Sequence, residues 1–210
     1  MTFTYTYEKN GIRPNYSKYI LLSKSPRRRE LLSFLNPHVD QSNIDERKIE
    51  NKFMQIYKDL DFEERASKTC CEIAKAKSDV SLKDGYIYIT SDTCIIFEGK
   101  IYGKPRSIDE ARMMFLSYFG KVHRVVTGVC LRSKDYLEVF YSYSLVKFID
   151  YYEDMDVLVD EYIREENVMD KAGAYGIQDL DPRFIEYISG DINTIKGMPV
   201  SELSKRLFKE

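Results

Sequence analysis

Apolar positions along the chain follow two rhythms. Short runs and alternation mark strands, and steps of three and four residues mark helices. YILLS at 19–23 is a continuous apolar run, read as a buried strand that feeds directly into Ser25-Pro26 and the helical pattern RRRELLSFL. Within a charged stretch over 46–80, Phe53, Ile56, Tyr57, Leu60, Ile73 and Ala76 recur at mixed three- and four-residue steps, which predicts one or two amphipathic helices. YIYITSD at 86–92 predicts a strand that ends at Asp92, and CIIFEGKIYG at 94–103 a hairpin turning at Glu98-Gly99. Ser107, with Glu110 three residues on, predicts a capping box and a helix to about Tyr118. HRVVTGVCLRS and YLEVFYSYSLVKFI are strands, 153–166 is helical, and Pro199 opens a last helix, VSELSKRLF. Residues 1–17, polar and tyrosine-rich, are expected to form a loosely held N-terminal extension before a single domain over 18–210. The order of elements gives a mixed α/β domain rather than a βαβ repeat.

Composition narrows the function classes. The chain has 210 residues, and its 17 Tyr and 11 Phe supply ring area for a sizeable core. The formal net charge of −2 gives no global attraction to nucleic acid or to an anionic membrane, so any anion site must be a local cluster. No stretch approaches the ~20 apolar residues of a membrane span, and the N-terminus lacks a secretory apolar run. Cys70, Cys71, Cys94 and Cys130 include no CxxC pair, which argues against a zinc site or a disulfide scaffold and for a cytoplasmic protein with free thiols.

Several segments carry candidate chemistry. In Ser23-Lys24-Ser25-Pro26-Arg27-Arg28 a strand ends, Ser25 can cap the helix and Pro26 fits its first position. Arg27 and Arg28 then sit in the first turn, where cations are disfavoured unless an anion binds there. The alternative is an exposed basic turn. Asp92, in Thr90-Ser91-Asp92-Thr93, can hold Mg²⁺ or activate water, or can simply form a turn. Gly103-Lys104-Pro105 extends Lys104, and Asp170 to Gln178 places Lys171 and Gln178 around two glycines that permit close backbone approach. Asp45-Glu46 adds a carboxylate pair. Arg27, Arg28, Lys104 and Lys171 would suit a highly charged anion, and Glu46, Asp92 and Asp170 a divalent ion. A nucleoside triphosphate with its metal matches both sets.

In this order the segments resemble the Maf-like family of nucleoside-triphosphate pyrophosphatases. The resemblance rests on SKSPRRRELL, Asp45-Glu46, Ala74 with Lys77, Ser91-Asp92-Thr93, Gly103-Lys104-Pro105, Gly120 with His123 and Thr127-Gly128-Val129, and the run DKAGAYGIQ at 170–178. It implies an elongated mixed sheet with flanking helices, two lobes around a nucleotide cleft, and hydrolysis between the α and β phosphates. The form of the last motif is similar to the dTTP/UTP branch. By resemblance, Ser23, Arg27 and Arg28 hold phosphates, and Glu46 and Asp92 organise Mg²⁺ or Mn²⁺ and water, with Asp92 the base. Lys77 and Lys104 neutralise charge, and Arg27, Thr93 and Gln178 bear on substrate choice. Phe119 stands where the family has Ser, and Glu166-Asn167 where it has Gly-Glu. A purine-preferring inosine-triphosphate-type enzyme and a non-catalytic nucleotide-binding regulator of cell division are the alternatives. A homodimer is left open.

Overall fold

The computed structural model describes residues 3–209. Eight strands form one sheet: β1 (Phe3–Asn10), β2 (Lys18–Leu22), β3 (His38–Asp40), β4 (Tyr86–Phe97), β5 (Lys100–Tyr102), β6 (Val122–Ser133), β7 (Tyr136–Phe148) and β8 (Ile185–Ser189). The main order is β1-β7-β6-β4-β2-β3, with β5 added to β4 and β8 to β7. The pairings β1-β7, β7-β6 and β6-β4 are antiparallel, whereas β2 is parallel to both β4 and β3. The helices are α1 (Pro26–Leu31), α2 (Glu46–Ile56), α3 (Phe62–Lys77), α4 (Ile108–Ser117), α5 (Met155–Glu165), α6 (Ile192–Ile195) and α7 (Val200–Phe208).

The charged stretch after Asp45 resolves into two helices, because Asp61 caps a new start by accepting a bond from the Glu64 N–H at 3.0 Å. Three expectations change. The N-terminal residues are not loosely held: 3–10 form an edge strand whose rings stack on β7, Phe3 on Tyr143 at 4.7 Å and Tyr5 on Tyr141 at 5.2 Å. Met1 and Thr2 of that extension lie outside the described residues. Asp92 does not end a strand either. β6 pairs with β4 from Tyr88↔Arg132 to Ile96↔Arg124, and this ladder carries the polar Thr90–Thr93 run through the middle of a 12-residue strand. Finally, Ser107 does accept from the Glu110 N–H at 3.1 Å, but Glu110 reaches the N–H of Arg106 rather than that of Ser107.

Alternation along β4 separates two faces of the sheet. On one face, Ile87 and Ile89 join a cluster with Leu21, Phe140, Leu203 and Leu207, while Ile95 and Phe97 join another with Phe115, Phe148, Tyr162 and Phe184. Between these clusters the same face shows Thr93 and Thr127. On the opposite face α3 packs Cys70, Cys71 and Ala74 against Cys94, Val126 and Cys130. Gly128 permits this: a Cβ there would lie 2.9 Å from the Cys70 carbonyl carbon, so the bare backbone admits α3.

Candidate active site

The paired register of β2 with β4 ends at Leu21↔Ile89, and β5 joins β4 only from Ile95. Between those positions one edge of β4 has no strand partner, and side chains arrive there from both faces. Arg28 donates from Nη1 to the Ser91 carbonyl at 3.0 Å, and from the other face Lys77 donates to the same oxygen at 3.3 Å.

Lys77 is the centre of the charged cluster. Its Nζ lies 2.8 Å from Asp92 Oδ1 and 3.0 Å from Glu46 Oε1, and both Lys77 and Asp92 are buried. The Cys70 thiol donates to the Asp92 carbonyl at 3.2 Å and faces its Oδ2 at 3.5 Å. Glu50, one turn after Glu46 on α2, belongs to the same group: burial raises its carboxyl pKa, and the neighbouring Asp92 adds to the rise.

Arg28 is committed to the protein more fully than a free phosphate fork would be. Nε donates to the Gly197 carbonyl and Nη2 to Thr93 Oγ1, each at 3.0 Å. Burial lowers its pKa, against the pull of Asp92, Cys70 and Glu46. Three of its five donors are thus used, and the hydroxyl chain continues from Thr93 to Thr127 at 3.0 Å and on to the Thr194 carbonyl at 2.7 Å. Ser25 occupies the N-cap of α1 without a side-chain cap bond; instead Ser23 Oγ accepts from the Ser25 N–H at 3.2 Å. α1 spans only six residues, so its arginines are also close to the end that favours cations.

A second group forms around the turn at 171–179. A Cβ on Gly176 would lie 2.6 Å from Gln178 Nε2 and 2.9 Å from both Arg27 Nη1 and Asp179 Oδ2, so these side chains converge on bare backbone. Lys171 is buried, 3.4 Å from both Asp179 and Glu166. Glu166 therefore supplies a carboxylate here although the sequence pair Glu166-Asn167 departs from the family order. Lys104 is displaced from both groups: it faces Asp170 at 3.9 Å, both side chains exposed. Its loop is nonetheless tied to the turn by the Gly173 N–H, which donates to the Gly103 carbonyl at 2.9 Å.

Sequence reasoning brought Ser23, Arg28, Thr93, Asp92, Lys77 and Glu46 to attention; the last five meet at one strand edge, and Ser23 is buried just past the end of β2. It missed Glu50, Cys70 and Gly197. Glu50 was visible as the i+4 partner of Glu46 on a predicted helix. Nothing local in the chain marks the other two, which act through long-range packing.

Among the described residues, no three His, Cys, Asp or Glu side chains form a metal-binding group. Mg²⁺, however, is commonly held by one or two carboxylates, with waters and substrate phosphates completing its shell. Glu46 and Asp92, drawn together by Lys77, fit such a partial set, and no all-protein cage is present among the described residues.

A mixed sheet whose open strand edge gathers one buried carboxylate, a buried lysine, an exposed glutamate and an arginine defines the class of this α/β protein. The chain belongs to the Maf-like protein family, which it matches over residues 18–210. It is 38% identical over 191 residues to a dTTP/UTP pyrophosphatase of Pyrococcus furiosus, covering 90% of this chain and 93% of that one. It is similarly 33% identical to one of Thermotoga maritima, covering 92% and 89% of the two chains, and 37% identical to one of Phocaeicola vulgatus, covering 93% and 98%.

Proposed function

We propose that the protein hydrolyses dTTP and UTP between the α and β phosphates, giving the monophosphate and pyrophosphate. The observation that carries this reading is the Asp92–Lys77–Glu46 chain at the open edge of β4, an edge that Arg28 of α1 reaches from the other face. The names of the relatives support the substrate class.

In this reading Asp92 accepts the proton of the attacking water, held in place by Lys77 at one oxygen and by the Cys70 thiol near the other. Arg27, the two free N–H groups of Arg28, and Lys77 spread the charge of the triphosphate, with Ser23 lining the approach and Lys104 and Lys171 at its rim. Glu46 and Asp92 would hold a divalent cation together with phosphate oxygens. Such an ion, when bound, supplies charge neutralisation on the phosphates. Thr93, bonded to Arg28, and Gln178, beside Arg27 at the Gly176 turn, read the nucleoside in this reading. The ligand is a free nucleotide rather than nucleic acid, in keeping with the net charge of −2, and four unpaired cysteines suit the cytoplasm.

The test is pyrophosphate release from each common nucleotide with Mg²⁺ or Mn²⁺. We expect kcat/KM for dTTP and UTP to exceed that for ATP, GTP and ITP by at least ~10²-fold, since a hydrogen-bonding site rejects a base that leaves its polar groups unpaired. Preference for ITP would establish the purine reading, and tight UTP binding without turnover the regulator reading.

A further inference from the structure

The family match begins at residue 18, yet residues 3–10 are built into the sheet and touch the helices that carry the site. β1 is not a regular strand. Thr6 pairs with Phe140 and Glu8 with Val139, so Tyr7 is an extra residue and two residues of β1 oppose one of β7. Such a bulge re-aims side chains. Here it sends Tyr7 and Glu8 together towards α3. Tyr7 donates its phenol to Glu72, and Glu8 pairs with Lys75 at 2.5 Å.

Tyr57, the residue that closes α2, completes the junction. Its hydroxyl lies 2.6 Å from that of Tyr7 and 3.3 Å from Glu72. Burial, then the bond to Glu72, pushes the Tyr7 phenol far above its ordinary pKa, so it remains a donor. α2 needs this anchor because none of its residues is buried. At its first residue Glu46 meets Lys77, and just past its last residue Tyr57 meets Tyr7 and Glu72. A helix of 11 residues has little stability of its own, and α2 lays only a half-buried face, Ile49, Glu50, Phe53 and Met54, along α3, so its end contacts help to fix where it lies.

From this geometry we infer that the N-terminal strand is a positioning element for the reaction, with bulged Tyr7 pinning the far end of α2 so that Glu46 is held at Lys77. The inference rests on the pyrophosphatase reading for its catalytic consequence, but the pinning itself does not.

Two measurements on the full chain test it. Tyr7→Phe keeps the ring and removes the hydroxyl, and Tyr57→Phe removes the other half of the bond. Each should speed amide hydrogen exchange across 46–56 by about 3–10-fold, the effect of one lost hydrogen bond, while exchange in α7 and the melting temperature stay near wild type. Tyr5→Phe, on the same strand but outside the junction, should change neither. With UTP as substrate, Tyr7→Phe should lower kcat by a similar ~3–10-fold with KM little changed. In a Glu46→Gln background the same substitution should have no further effect, because the group being positioned has gone. Wild-type exchange across 46–56 in both phenylalanine variants overturns the inference, and so does a kcat loss that adds fully to that of Glu46→Gln. A wild-type protein that releases no pyrophosphate overturns the pyrophosphatase reading alone, and the exchange arm then decides the pinning by itself.

Discussion

Asp92 is held from three sides: by Lys77, by the Cys70 thiol, and by a β-ladder that pairs it with Gly128. Replacing it with Asn keeps the shape and removes the charge. We expect kcat on UTP to fall by at least ~10²-fold, the low end for a general base, with UTP binding by calorimetry largely kept. Because Asp92 lies inside a strand and pairs with a buried lysine, the variant should also lose about 1–3 kcal/mol of stability, measured by denaturant unfolding. A strand-end carboxylate would have cost nothing, so the two outcomes separate the geometries. Arg28 is the other residue whose role shifts once its partners are known. Arg28→Lys keeps the charge, but a single ammonium cannot replace three donors reaching Gly197, Ser91 and Thr93. The expected result is a lower melting temperature together with a larger loss of affinity for UTP than for UMP. Equal losses for the two nucleotides would leave Arg28 as a structural clamp only.

At the scale of elements, the site depends on how closely α3 lies on the sheet, since α3 brings both Lys77 and Cys70. Gly128→Ala would put a methyl group 2.9 Å from the Cys70 carbonyl, and helix backbone cannot yield as a flexible side chain can. We expect about 1–3 kcal/mol of destabilisation in denaturant melts and a fall in kcat larger than any change in KM. These elements differ in how far the sequence announced them. The alternation in 123–133 and 136–149 marks β6 and β7, and the turn at Glu98-Gly99 follows from its residues, both of which have positive φ. The strand through Ser91-Asp92-Thr93 was hidden, because its polar run reads locally as a turn and only the pairing with β6 holds it extended. β1 was hidden for the same reason: alternating Thr and Tyr gain meaning only against the open edge of β7. The candidate site was legible as a list of residue types in order. That Arg28 and Lys77 reach one carbonyl from opposite faces was not, since it depends on where β2 stops.

For the molecule as a whole, stability should carry the signature of one buried imidazole. His123 is sealed among Phe97, Tyr118 and Phe148, with Nε2 2.6 Å from the Tyr175 hydroxyl, and burial lowers its pKa to about 3. The unfolded chain therefore binds one more proton than the folded chain between about pH 3 and pH 6.5. The stability involved is fully present above the unfolded value and is lost as pH falls towards the folded one. Between about pH 6.5 and pH 5 the loss should be about 1.5 kcal/mol, and His123→Gln should flatten that part of the curve.

All four thiols lie where α3 meets the sheet: Cys70 and Cys71 on the helix, Cys94 and Cys130 on the strands beneath it. Burial pushes the Cys70 and Cys71 thiols up and raises that of Cys130 to about 11, so these three offer little thiolate to an alkylating reagent, and Cys94 is itself buried away from it. Labelling must then wait for the helix to lift, and its rate becomes a stopwatch for that one movement. Run beside a turnover assay, it would show whether UTP clamps α3 to the sheet before any bond is broken.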